Sequence, residues 1–319
     1  MKDNKRNLEE KFNKQIYEYK IWSRFREALI YTNRFFPNDD KFLDLIDRVV
    51  PLLIDTIEEN SEWYRAREFE IDDPFIIDKE KCSKEEREHK IYESIFYNGV
   101  SYNALCTSTK IKMDEYLSIY NEVIKEKRKS SIWGFNESES GMPPHNKVGL
   151  SRANPKYIPY LYLANDATTA LAEARALPQQ KFSVAKYRIN KLLRVVNLSK
   201  THEIENISHE DSSICYNMFC SFSTPSNSNE KDYLMSQFIA EYLKTYCFSG
   251  DKFDGVAFSS SRNEDGVNLT LFDDSVCTFL GSSIHEVKSI KVESVQLLPL
   301  PSESDFTYGE YRLSEENDE

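Results

Sequence analysis

Glycine is scarce in this chain, with nine in 319 residues, and none of them falls in a GxGxxG or GK[ST] pattern. Rossmann turns and P-loops need glycine where the backbone closes on phosphate, so neither cradle is expected. No GxSxG elbow is present either, which removes the α/β-hydrolase nucleophile. The six cysteines, at positions 82, 106, 215, 220, 247 and 277, lack the paired two-residue spacing of zinc sites. His202 and His209 stand seven apart, whereas a helical metal pair needs i and i+4, so no metal is expected. No run of 18 apolar residues occurs, and the charged start has no apolar core of signal-peptide length, so a cytoplasmic protein without membrane contact is expected. Positive charge is in deficit: 41 Lys and Arg against 53 Asp and Glu leave a net charge of −12. Such a surface repels a nucleic-acid backbone at long range, yet still allows a small anion held by a few arginines.

Apolar residues make up 40% of the chain, with 19 Tyr and 19 Phe, enough for a sizeable core. In residues 8 to 32, Phe12, Ile16, Tyr19, Trp22, Phe25 and Leu29 recur at helical spacing. Phe42, Leu45, Ile46, Val49, Leu53 and Ile57 continue it, with Pro51 as a kink or boundary. Two more helical stretches, "KEEREHKIYESIFYNGV" and "KMDEYLSIYNEVIKEKRKS", follow. The character changes near "SSIWGFNESESGMPP", after which "YLYLA", "KFSVAKYRI", "LLRVVNL", "FDGVAFSSS", "VNLTLFD" and "IKVESVQLLPL" read as strands. Between them lie a polar loop, "CSFSTPSNSNEKD", and a helix, "YLMSQFIAEYLKTYCF". The expected fold class is α+β. A helical unit over 1–58 and a helical insertion at about 78–130 flank a mixed domain over 59–77 and 131–302, ending in an acidic tail at 303–319.

One helix poses a question. "LYLANDATTALAEAR" places Glu173 among small apolar residues, and a carboxylate there is either at an edge or at work.

Three blocks occur in order: "YRAR" at 64–67, "PPHNKVGLSRANPKYIPYLYLANDATTALAEAR" at 143–175, and "FDGVAFSSSRNEDGVNLTLF" at 253–272. Together they resemble the RES-domain family, named for its Arg, Glu and Ser, and the helical start resembles the HEPN-like extension of longer members. An active HEPN nuclease pairs Arg with His at short range; no His precedes His89, so an inactive or regulatory version is implied.

The resemblance implies an ADP-ribosyltransferase-like fold with a central, mostly antiparallel sheet. It implies an enzyme that cleaves the nicotinamide–ribose bond of NAD as a glycohydrolase or phosphorylase, with NAD as substrate and no cofactor. Toxin or phage-defence roles, a cognate antitoxin and a homo-oligomer are further implications. ADP-ribosyl transfer and a non-catalytic NAD-binding module are the alternatives.

The implied site comprises Glu173 beside the ribose, and Arg152 with Arg65 for the diphosphate, Arg67 being the alternative to Arg65. Tyr162 would stack on nicotinamide or donate its hydroxyl, and Ser260 would orient ribose or phosphate, with Ser259 and Ser261 as rivals. Asn268 and Gln237 rank lower, holding ligand or loops. Where shorter members carry glycine, this chain has Leu150 and Ser151 before Arg152 and Lys156 after Pro155, which puts a strained loop there at issue.

Overall fold

The computed structural model describes residues 20–37, 39–69, 83–98, 103, 105–106, 110–127, 131–204, 207–224, 230–247 and 250–290. Helix α1 (20–31) and α2 (Asp40–Val49) come first. The Asp39 side chain caps α2 by accepting from the Phe42 N–H, and Phe42, Leu45, Ile46 and Val49 form its buried stripe. The spacing predicted this helix, but not its end. A single 3-10 turn (Val50–Leu53) with Pro51 leads into strand β1 (Ile54–Ile57), and β2 (Glu62–Glu68) follows. Ile57, read as helix from its spacing, is therefore in a strand, and the "YRAR" run lies in β2.

Helices α3 (Lys84–Asn98) and α4 (Met113–Lys127) match the second helical pair and bury a cluster of their own, including Ile91, Ile95, Tyr116 and Val123. A short helix, α5 (Glu137–Ser140), precedes β3 (Leu161–Ala164) and α6 (Ala167–Glu173). Strands β4 (Lys181–Ile189) and β5 (Leu193–Asn197) lead to α7 (His209–Ser223) and α8 (Glu230–Thr245), and β6 (Gly255–Ser259), β7 (Val267–Leu271) and β8 (Cys277–Glu286) follow among the described residues. The polar loop expected from residue 220 begins later, because α7 runs to Ser223 and buries Phe222. Strand β8 was missed. Apart from Ile290, the strand expected at 290–300 lies outside the described residues, as does the acidic tail.

The eight strands form one sheet in the order β1-β5-β6-β7-β3-β2-β4-β8. Every pair is antiparallel except β5 with β6, whose parallel pairing needs the long crossover that α7 and α8 supply. Alternation sorts the side chains: Val196, Val256 and Phe258 join the cluster under α1, α2, α7 and α8, while Val195, Ala257 and Leu269 join the cluster on the opposite face. Residues 20–53 thus share a core with the sheet, and β1 pairs with β5 from Ile54↔Val196 to Ile57↔Leu193. Within the span 1–58 expected as helical, residues 54–57 are therefore a strand.

The order also brings the three motif blocks side by side, since β7, β3 and β2 are neighbours. Strand β2 pairs with β4 along its whole length but with β3 at one position, Tyr64↔Ala164. That sparsely zipped seam adjoins a cavity.

Candidate active site

The cavity measures about 470 Å³, within the roughly 300–1,000 Å³ typical of small-molecule sites. Its wall includes Arg65, Arg152, Tyr162, Glu173 and Asn268, so five expected residues meet there.

Glu173 ends α6, a helix started by Asp166, whose carboxylate accepts from the Thr169 N–H at 2.8 Å. One carboxylate oxygen, Oε1, accepts from Ser260 Oγ at 2.6 Å and from Asn268 Nδ2 at 2.8 Å. Among the described residues Oε2 has no hydrogen-bond partner, so the carboxylate is oriented through one oxygen while the other stays available. Ser260 Oγ also accepts from the backbone N–H groups of Arg262 and Asn263, at 3.1 and 3.2 Å. Ser260 is not part of the cavity wall, whereas its rival Ser261 is. The Ser260 hydroxyl is thus hydrogen-bonded to Glu173.

The two arginines are held alike. Arg65 Nη1 donates to Ser140 O at 2.6 Å and to Gly141 O, carbonyls at the C-terminal end of α5. Arg152 Nη1 donates to Thr224 O at 2.8 Å and to Ser221 O at 3.4 Å, at the C-terminal end of α7. Final helical carbonyls have no partner within their helix and carry partial negative charge, so they fix a guanidinium without neutralising it. Burial pushes Arg65 down to about 10, still cationic at neutral pH, and burial also lowers Arg152. Arg67 goes elsewhere: its Nη1 donates to Glu139 O and its guanidinium lies 5.4 Å from the Phe135 ring centre, away from the cavity wall.

The loop bearing Arg152 is cross-braced. Asn154, 2% exposed, donates from Nδ2 to Gly149 O at 3.1 Å and to Pro155 O at 2.9 Å. Its Oδ1 accepts from the Tyr162 hydroxyl at 2.7 Å, and that hydroxyl accepts from the Ala153 N–H at 3.1 Å. From α8, Gln237 Nε2 donates to Ser151 O at 2.7 Å and Asn154 O at 3.1 Å, while Ser236 Oγ donates to Arg152 O at 2.6 Å. Tyr162 lines the cavity, while its hydroxyl is used by the loop; burial holds that phenol well above its ordinary pKa. The missing glycines do not strain this loop. Leu150, Ser151 and Lys156 all keep negative φ, and the left-handed position falls on Tyr157, at φ 74°.

Arg175 and Arg262 also line the cavity and were missed, although both sit inside the motif blocks of a chain short of positive charge. Four arginines and one glutamate therefore line one space, and no described acid forms an ion pair with any of the four. Such a site attracts an anion locally within an acidic molecule. A family model for the RES domain matches residues 125–293.

The chain belongs to the RES domain family. The match holds Arg152, Tyr162, Glu173, Ser260 and Asn268; β1, β2 and Arg65 precede it. No curated protein and no solved structure matches the chain. The RES domain is linked to NAD-related, toxin-like activity. Among the described residues, no helix is long and apolar enough to cross a membrane, and no group of three or more His, Cys, Asp or Glu is placed to hold a metal.

Proposed function

We propose that this RES protein cleaves the bond between nicotinamide and ribose in NAD, as a glycohydrolase or phosphorylase. The observation carrying this reading is Glu173: a carboxylate oriented through Oε1 by Ser260 and Asn268, in a cavity also lined by four arginines that form no ion pair with a described acid. When the glycosidic bond breaks, its electron pair leaves with the pyridinium nitrogen, and nicotinamide departs neutral. No proton donor is needed at the leaving group. The ribose becomes oxocarbenium-like, and a nearby carboxylate stabilises that charge and accepts from a ribose hydroxyl through Oε2. Water or phosphate then bonds to the anomeric carbon and sheds a proton. Arg65 and Arg152 hold the diphosphate, and the Tyr162 ring forms an apolar wall for nicotinamide.

Purified protein incubated with NAD should release free nicotinamide, and Glu173→Gln should reduce that release by roughly 100-fold or more while leaving the thermal unfolding profile intact. No nicotinamide from folded protein, with or without phosphate, would sink the reading. Label on a protein acceptor in place of free product would redirect it to ADP-ribosyl transfer. In a cell, sustained NAD loss makes such an enzyme a toxin or defence effector in need of an antitoxin; unchanged growth alongside stable expression would count against that role.

A further inference from the structure

NAD brings two negative charges on its diphosphate and one positive charge on its pyridinium. Under the reading above, Glu173 answers the pyridinium end, and Arg65 with Arg152 answers the diphosphate. Two guanidiniums are left over. Arg175 and Arg262 are exposed, line the same cavity, and form no ion pair with a described acid. Burial chiefly lowers the Arg152 pKa and Glu173 raises it, while the nearby Arg262 charge adds a smaller lowering, a repulsion that an anion between the two arginines would relieve. In a chain with 53 acids, partners for both cations were plentiful.

The backbone at both positions adds to the case. Arg175 follows α6 with φ 57°, a left-handed residue at the position where helices ordinarily place glycine. A side chain kept where glycine relieves strain points to a use for that side chain. Arg262 donates its N–H to Ser260 Oγ at 3.1 Å, and the same hydroxyl donates to Glu173 at 2.6 Å.

We propose that Arg175 and Arg262 form a second phosphate subsite of the cavity, which takes a phosphate dianion in addition to the diphosphate. The proposal rests on the NAD-cleaving reading of the same cavity. A dianion can arrive as the 2′-phosphate of NADP or as free inorganic phosphate, and both present the same oxygens to guanidinium forks.

Calorimetric titration of Glu173→Gln protein with NADP, with NAD, and with inorganic phosphate in the presence of NAD measures binding without turnover. Tenfold tighter binding of NADP than NAD assigns the subsite to the 2′-phosphate, and saturable phosphate binding assigns it to the free ion. In either case Arg175→Gln and Arg262→Gln each weaken the phosphate-dependent part at least fivefold, and Arg262→Lys restores some of it. Equal affinity for the two dinucleotides with no phosphate binding overturns the subsite, even if the wild-type protein cleaves NAD. Tighter NADP binding without nicotinamide release from any dinucleotide retains the subsite and overturns the cleavage reading; no binding of any of the three removes both. Wild-type kcat/KM for NADP against NAD repeats the comparison independently of any variant's folding.

Discussion

At the scale of single residues, the site depends on side chains that hold other side chains. Glu173 gains its orientation from Ser260 and Asn268, and the Arg152 loop gains its shape from Asn154, Tyr162, Ser236 and Gln237. Replacing Ser260 removes a donor to the carboxylate without touching the cavity wall. Ser260→Ala is therefore expected to lower kcat for nicotinamide release by roughly 10- to 100-fold with little change in KM, because misplacement of a reacting group weakens the transition state more than the bound state. Steady-state kinetics reads the split, and Ser260→Thr, which keeps the hydroxyl, should recover part of kcat. A change confined to KM would instead make Ser260 a contact to substrate. Glu173 and Arg152 were legible in the sequence because their motif flanks are distinctive. That the Tyr162 hydroxyl and Ser260 serve neighbours was not, since a hydrogen-bond partner nine or 87 residues away leaves no local pattern.

Among elements, glycine is scarce but its placement is strict. Gly281 lies in β8 opposite Lys186, where the β4–β8 register shifts, with φ 144°. A Cβ there would come within 2.3 Å of the Ser131 carbonyl oxygen, on the segment whose residues 131–133 bond to Ser282. Gly281→Ala should therefore destabilise the protein by on the order of 2 kcal/mol, read as a lower urea midpoint at constant m-value. An unchanged midpoint would mean that the 131–133 segment moves away freely. The strands β3 to β7 were legible from alternation and flanking turns. Strands β1 and β2 were not: Leu53 and Ile57 extend a helical spacing by four, and pairing with β5 and β4 overrides it. Strand β8, "CTFLGSSIHE", mixes small and polar residues and takes its identity from the full-length β4 beside it.

For the whole molecule, one sheet unites what the motifs separate. The family match begins at residue 125, yet Arg65 reaches the cavity from β2, and the helices at 20–31 and Asp40–Val49 cover the same core as α7, α8 and β6. A chain lacking residues 1–58 would lose β1 and expose Val196, Ile239 and Met218, which pack in that core. It is expected to lose cooperative unfolding and to bind a hydrophobic dye, measured by near-ultraviolet circular dichroism and dye fluorescence. A truncated protein that melts like the full chain would show that the first 58 residues are a dispensable cover.

The sequence by itself determined the class of the fold, most of its central strands, the family, and the identities of Glu173, Arg152 and Asn268, because periodicity and motif spacing are local properties of the chain. Tertiary structure alone put Arg65 in the cavity wall and Arg67 outside it, set the Ser260 hydroxyl against Glu173 and Ser261 in the wall, and brought further arginines to the cavity. Those placements depend on which strands pair and on which helix end offers a carbonyl, and both are set by contacts between residues far apart in the chain.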